Sequence, residues 1–197
     1  MKTELTNNLK WHENTKHIVK NANRKMAMLH KFSKFTKNIS HLLHLYKTQV
    51  RGCLEYCSTV WHSGLTDSDS KDIERIQRAA MRVIMGNKYQ GYEEALKFIK
   101  LDSLKQRREK MALKFAQKSL KQESFSKLFP LNTSKHGMQK RSPKKYVVNQ
   151  SNTERYRRSA VPYLQRLLNK DISKQRKDLK CLLQVNNDIV HNIPITY

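Results

Sequence analysis

An all-α fold is predicted by three features of this chain. Apolar residues recur at helical spacing over long stretches, only five glycines and four prolines interrupt 197 residues, and helix start and stop signals bracket the periodic segments. The expected organisation is a short lead-in over residues 1–12, a helical bundle over 13–121, a basic linker over 122–152 and a small helical region over 153–197. A chain of this length can bury a real core in one or two small domains.

In chain order, Met1 to Lys10 is short and polar. From Glu13 to Phe35 a helix is predicted, with Ile18, Val19, Ala22, Met26 and Leu29 on one face and Lys16, Lys20, Arg24 and Lys31 opposite. Lys37-Asn38 breaks that pattern. Ile39 to Trp61 then reads as the most apolar helix of the chain. Ile39, Leu42, Leu43, Tyr46, Val50, Cys53, Leu54, Cys57, Val60 and Trp61 share one face, and Lys47 and Arg51 alone supply positive charge. The other helices should pack on it.

Asp67 to Met85 is predicted as a helix with Thr66 as N-cap, Asp69 three residues on as its capping partner, and Asp67, Asp69 and Asp72 placed where the helix dipole favours acids. Gly86 is the matching stop. Ile73, Ile76, Ala80, Val83 and Ile84 form the apolar stripe, while Lys71, Arg75, Arg78 and Arg82 line the other face.

A loop over Asn87 to Gly91, a short helix over Tyr92 to Lys100 and a longer one capped by Asp102 or Ser103 and running to about Lys121 follow. In the longer helix Leu104, Met111, Ala112, Phe115, Ala116 and Leu120 spread over a buried arc, and Arg107, Lys110, Lys114, Lys118 and Lys121 face away. Arg108 falls inside the apolar arc, with nothing in the sequence to account for it.

Phe125 to Phe129 reads as a helical turn ended by Pro130. Leu131 to Ser151 loses apolar periodicity, and Lys135, Lys140, Arg141, Lys144 and Lys145 dominate it, which predicts a linker that is disordered or ordered by nucleic acid. Two short helices, Thr153 to Ser159 and Val161 to Lys170, are expected next, with Pro162 in the first turn of the second, and a weak pattern from Ser173 to His191 suggests a last one.

The formal net charge is +24, from 40 Lys and Arg against 16 Asp and Glu. That excess points to a polyanionic partner, nucleic acid first. An anionic membrane is the weaker reading, since no run approaches the length of a membrane span and no N-terminal signal pattern is present. A soluble chain inside the cell, nuclear or cytoplasmic, is expected. Three cysteines do not make a disulfide framework.

Several patterns invite chemistry and have a plain structural reading beside it. Cys53 and Cys57, four residues apart with His41, His44 and His62 nearby, suggest zinc. Both cysteines lie in the middle of the apolar stripe and the two earlier histidines do not, so core packing is the expectation and no metal or cofactor is predicted. Asp67, Asp69 and Asp72 suggest metal-binding carboxylates, but capping explains them. The basic stripes read equally as solvated faces, and Tyr146, Tyr156 and Tyr163 adjoin basic residues at spacings nonspecific for base stacking.

Residues Leu54 to Thr66 read LEYCSTVWHSGLT; IERIQRAAMRVIMG and Tyr92-Glu93-Glu94-Ala95-Leu96 follow. Together these runs resemble the region just after the polymerase palm in reverse transcriptases of LINE-type, Jockey-like non-LTR retrotransposons. The likeness extends to LTNNLKW (Leu5 to Trp11) and TERYRRSAVPYLQRLLN (Thr153 to Asn169) and stops near Lys170. It departs from the family at Asn14, where a His is usual.

The resemblance implies that residues 1–12 are what remains of the palm-to-thumb connection and that 13–121 form the thumb, which in such a polymerase closes over the template-primer duplex. The family's palm aspartates form an adjacent pair, and no Asp-Asp pair occurs here, so no catalysis is expected of the chain on its own.

The expected partners are RNA, DNA or their hybrid, contacted through phosphates by Lys71, Arg75, Arg78, Arg82, Arg107, Lys110, Lys114, Lys118, Lys140, Arg141, Lys144 and Lys145. A polymerase palm on another chain is a further candidate partner. The alternatives left open are a thumb completed by such a palm and a host interaction protein that uses an exposed apolar face.

Overall fold

The computed structural model describes residue 3 and residues 10–132 and 145–191, with side chains as far as 178. The expected linker cations Lys135, Lys140, Arg141 and Lys144 lie outside the described residues. Among the described residues the fold is all-α, and the chain divides into two compact units, Met1–Lys114 and Phe115–Tyr197.

The first unit begins with α1 (His12–Phe35), which buries Ile18, Ala22, Met26 and Leu29 as its periodicity predicts. Asn38 caps α2 (Ile39–Leu45) by accepting from the backbone of Ser40 and His41. The expected single helix from Ile39 to Trp61 is not continuous, and this is the main correction to the sequence reading. Tyr46–Arg51 widens into a π-helical segment, α3 spans Gly52–Glu55 and α4 spans Ser58–Trp61.

A physical reason lies in the spacing. Tyr46, Val50 and Leu54 recur every fourth residue, which drifts around an α-helix of 3.6 residues per turn, and the wider π turns keep all three buried. At Tyr56 the helix ends: the Trp61 indole N–H donates to the Tyr56 carbonyl at 2.9 Å, and Cys57 takes left-handed backbone with φ of 51°. That kink turns Cys57 and Val60 out to solvent, so only Cys53 of the two cysteines is a core residue.

A 3₁₀ turn, His62–Gly64, leads to α5 (Asp67–Met85). Gly64 is required where it stands, because a Cβ there would come within 2.5 Å of the Trp11 ring. α5 has the predicted limits and the predicted capping box: Thr66 Oγ1 accepts from the Asp69 N–H at 3.1 Å, and the Asp69 carboxylate accepts from Thr66 N–H and hydroxyl. Ile73, Ile76, Ala80, Met81, Ile84 and Met85 are buried. α1 packs along α5.

α6 (Tyr92–Ile99) ends in a Schellman motif, in which Lys100 with φ of 55° occupies the left-handed position and Leu101 N–H returns to the Leu96 carbonyl at 2.9 Å. α7 (Leu104–Ser119) starts with Ser103 as cap, since the Ser103 hydroxyl accepts from Gln106 N–H and the Gln106 side chain accepts from Ser103 N–H. Glu74 of α5 adds a second cap, accepting from the backbone N–H groups of Leu104 and Lys105 and from the Tyr92 hydroxyl.

Gln77, fully buried on α5, ties these elements together. It accepts from the Tyr46 hydroxyl at 2.6 Å and donates to the Tyr92 hydroxyl and the Asp102 carbonyl, both at 3.1 Å. A buried amide with its bonds made favours one register of α5 over its neighbours, because any slip would strand those groups.

The second unit contains α8 (Glu123–Ser126), α9 (Glu154–Arg157) and α10 (Ala160–His191). Two separate helices were expected across α10; the structure has one, with Pro162 in its first turn as predicted. Here Gln165 and Asn169, one turn apart, act as partners for unpaired backbone. Asn169 accepts from Tyr146 N–H and donates to the Tyr146 carbonyl, both at 3.0 Å, and Gln165 accepts from Asn149 N–H and donates to the Leu128 carbonyl. Residues 128–131 and 145–149 are thereby held on α10, with an isolated bridge between Leu131 and Tyr146. Tyr146 is buried edge-on against Phe129 and is not free to stack on a base.

Candidate nucleic-acid interface

The α5 cations stand on the face its apolar stripe leaves over. Burying Ile73, Ile76 and Ala80 sends positions 71, 75, 78 and 82 outward, and Lys71, Arg75, Arg78 and Arg82 are all exposed. Arg75 is 3.3 Å from Asp72 in an open ion pair, which salt and solvent weaken. Arg78 lies over the Tyr92 ring at 5.1 Å and Arg82 over the Tyr89 ring at 5.7 Å, so both guanidinium groups are oriented while their edges remain in water.

The α7 cations differ among themselves. Arg107 does not face away as expected: it is half-buried and donates through Nε and Nη2 to the Glu55 carboxylate at 2.5 and 3.0 Å. That bond holds the guanidinium above its usual pKa. Lys110 pairs with Asp102 at 2.6 Å on the surface. Lys114 is exposed in the first unit, and Lys118 and Lys145 are exposed in the second. Phe115, placed in the buried arc by periodicity, is 45% exposed.

The unexplained Arg108 turns out to be a core residue. Fully buried, it lies over the Trp61 ring at 6.0 Å, donates through Nη2 to Ser70 Oγ at 3.1 Å and through Nε to His62 Nδ1 at 3.3 Å. That last bond needs an imidazole with a free lone pair. Burial, together with the positive charge of Arg108 and Lys105, pushes His62 down to about 4, which keeps it neutral at physiological pH. An arginine in an apolar arc was the visible signal; its partners, 38 and 46 residues earlier, were not visible.

Sequence reasoning also missed His12, whose Nδ1 lies 2.7 Å from Asp69 Oδ1. Burial raises the Asp69 carboxyl pKa, but hydrogen bonds from Thr66 and His12 outweigh this and hold it below the usual carboxylate range. Among the described residues no three His, Cys, Asp or Glu side chains converge as metal ligands, and no helix is long and apolar enough to cross a membrane. Compared with protein-family models, with curated proteins and with solved structures, the chain matches none.

Proposed function

We propose that this chain binds nucleic acid without catalysing its synthesis, as the thumb and downstream part of a non-LTR retrotransposon reverse transcriptase does within the whole enzyme. The observation that carries the reading is the α5 face on which Lys71, Arg75, Arg78 and Arg82 are exposed together, in a chain of net charge +24. Lysine and arginine on one helix face contact successive phosphates and carry no base readout, so RNA, DNA and hybrid should bind with little sequence preference.

The test replaces Arg75, Arg78 and Arg82 together by glutamine. Three lost phosphate contacts should flatten the log-log salt dependence of binding by about 2 to 3. The fold should persist, because none of the three is buried. A folded variant with an unchanged slope would make this a merely solvated face and shift the proposal to Lys135–Lys145.

A second reading, a host interaction protein, is favoured by one observation: Met28, Phe32 and Phe35 stand exposed on α1, Phe35 at 87%. That reading expects a protein partner whose binding is lost in Phe32→Ser with Phe35→Ser.

A further inference from the structure

Between α1 and α5 runs a groove of about 580 Å³. Its α1 wall follows one line at four-residue steps, His12, Lys16, Lys20 and Arg24, each about 6 Å further along the helix axis. The α5 wall contributes Asp69, Asp72 and Arg75. Four permanent cations thus face two carboxylates, and both carboxylates are engaged, Asp72 by Arg75 and Asp69 by the capping box and His12. The neighbouring Glu13 is paired with Lys16 at 2.9 Å. What the groove lacks is a strong anion.

His12 decides what the groove can do. Asp69 Oδ2 is occupied by Thr66, and Oδ1 faces His12 Nδ1. A carboxylate only accepts, so Nδ1 must carry a proton, and Nε2 is the ring nitrogen left for a ligand. The side chain is 53% exposed and lines the groove. With Nε2 protonated, the ring is a second donor among three lysine and arginine neighbours on its own helix. With Nε2 bare, it presents a lone pair that an anion avoids.

We infer that the groove between α1 and α5 is a proton-linked phosphate site, in which imidazolium His12, oriented by Asp69, donates to a phosphate oxygen while Lys20 and Arg24 neutralise the charge. It extends the nucleic-acid reading above to a second surface and rests on it for the source of the phosphate.

The experiment follows binding of a labelled single-stranded oligonucleotide to the full chain against salt, at about pH 6 and about pH 8. Acidification reaches other groups of the chain too, so the readout is the difference between the chain and His12→Gln, which keeps a neutral amide donor. The slope should steepen from pH 8 to pH 6 by about 0.7 more in the unaltered chain than in the variant, which is one phosphate contact on a single strand. Lys20→Gln should lose about 0.7 at both pH values and keep the pH effect.

Equal pH effects in the chain and in His12→Gln, both folded by circular dichroism, would overturn the site. Titration with inorganic phosphate separates the two readings. Phosphate binding that is lost in His12→Gln, with no oligonucleotide binding by the chain, keeps the site and removes the nucleic acid. Binding of neither ligand overturns both.

Discussion

Acidification should destabilise the first unit through His62 in a way that a single substitution removes. The imidazole accepts from Arg108 Nε, and burial together with the charge of Arg108 and Lys105 pushes it down from its ordinary 6.5 to about 4. Since the folded value is below the unfolded one, the contribution is fully present above 6.5 and is lost as pH falls toward 4, where the unfolded chain binds a proton and the folded chain resists it.

At about 1.4 kcal/mol per pKa unit, the loss between pH 7 and pH 4 is about 3 kcal/mol. That is a large part of a typical domain's stability. The assay is urea unfolding at stepped pH, read by tryptophan fluorescence, because Trp11 and Trp61 are the chain's two tryptophans and both fall in the first unit. The comparison is His62→Asn, whose carbonyl can still accept from Arg108 but does not titrate. Carboxylate contributions are common to both proteins and cancel. The stability gap between them should therefore shift by about 3 kcal/mol against the unaltered chain on acidification. Parallel pH curves would refute the argument that Arg108 and burial hold His62 neutral.

Gly86→Ala should cost about 1 to 3 kcal/mol in the same unfolding assay, because φ of 52° strains any side-chain-bearing residue although no atom lies near the added methyl. Lys100→Gly should do the opposite and add about 1 kcal/mol, by relieving left-handed backbone at the end of α6. Glu55→Gln removes the charge that Arg107 grips and should cost about 2 kcal/mol; a double-mutant cycle with Arg107→Gln should show the two losses to be strongly non-additive.

The legibility of the sequence varied with the range of the interactions involved. α5 could be read from end to end, because Thr66, Asp69 and Gly86 act within a few residues of where they stand, and the burial of Ile73 against the exposure of Arg75 follows from helix periodicity alone. The cap at Ser103, the limits of α1 near Phe35 and the all-α class were local in the same sense. The exposure of Lys71, Arg78 and Arg82 followed too, since a face not used by the core is left to water.

Tertiary structure decided everything that depended on residues far apart in the chain. The break after Glu55 is set by the Trp61 indole reaching back to Tyr56, so a wheel drawn through residues 39–61 wrongly placed Cys57 and Val60 inside. Arg107 has the spacing of a surface cation and is held by Glu55, 52 residues away, while Arg108 enters the core because Ser70 and His62 meet it there. His12 and Asp69 are 57 residues apart and form one pair only because α1 packs along α5. Periodicity tells which side of a helix is apolar; which polar group waits on the opposing surface is fixed only when the helices pack, and the energy of a buried charge depends on that partner.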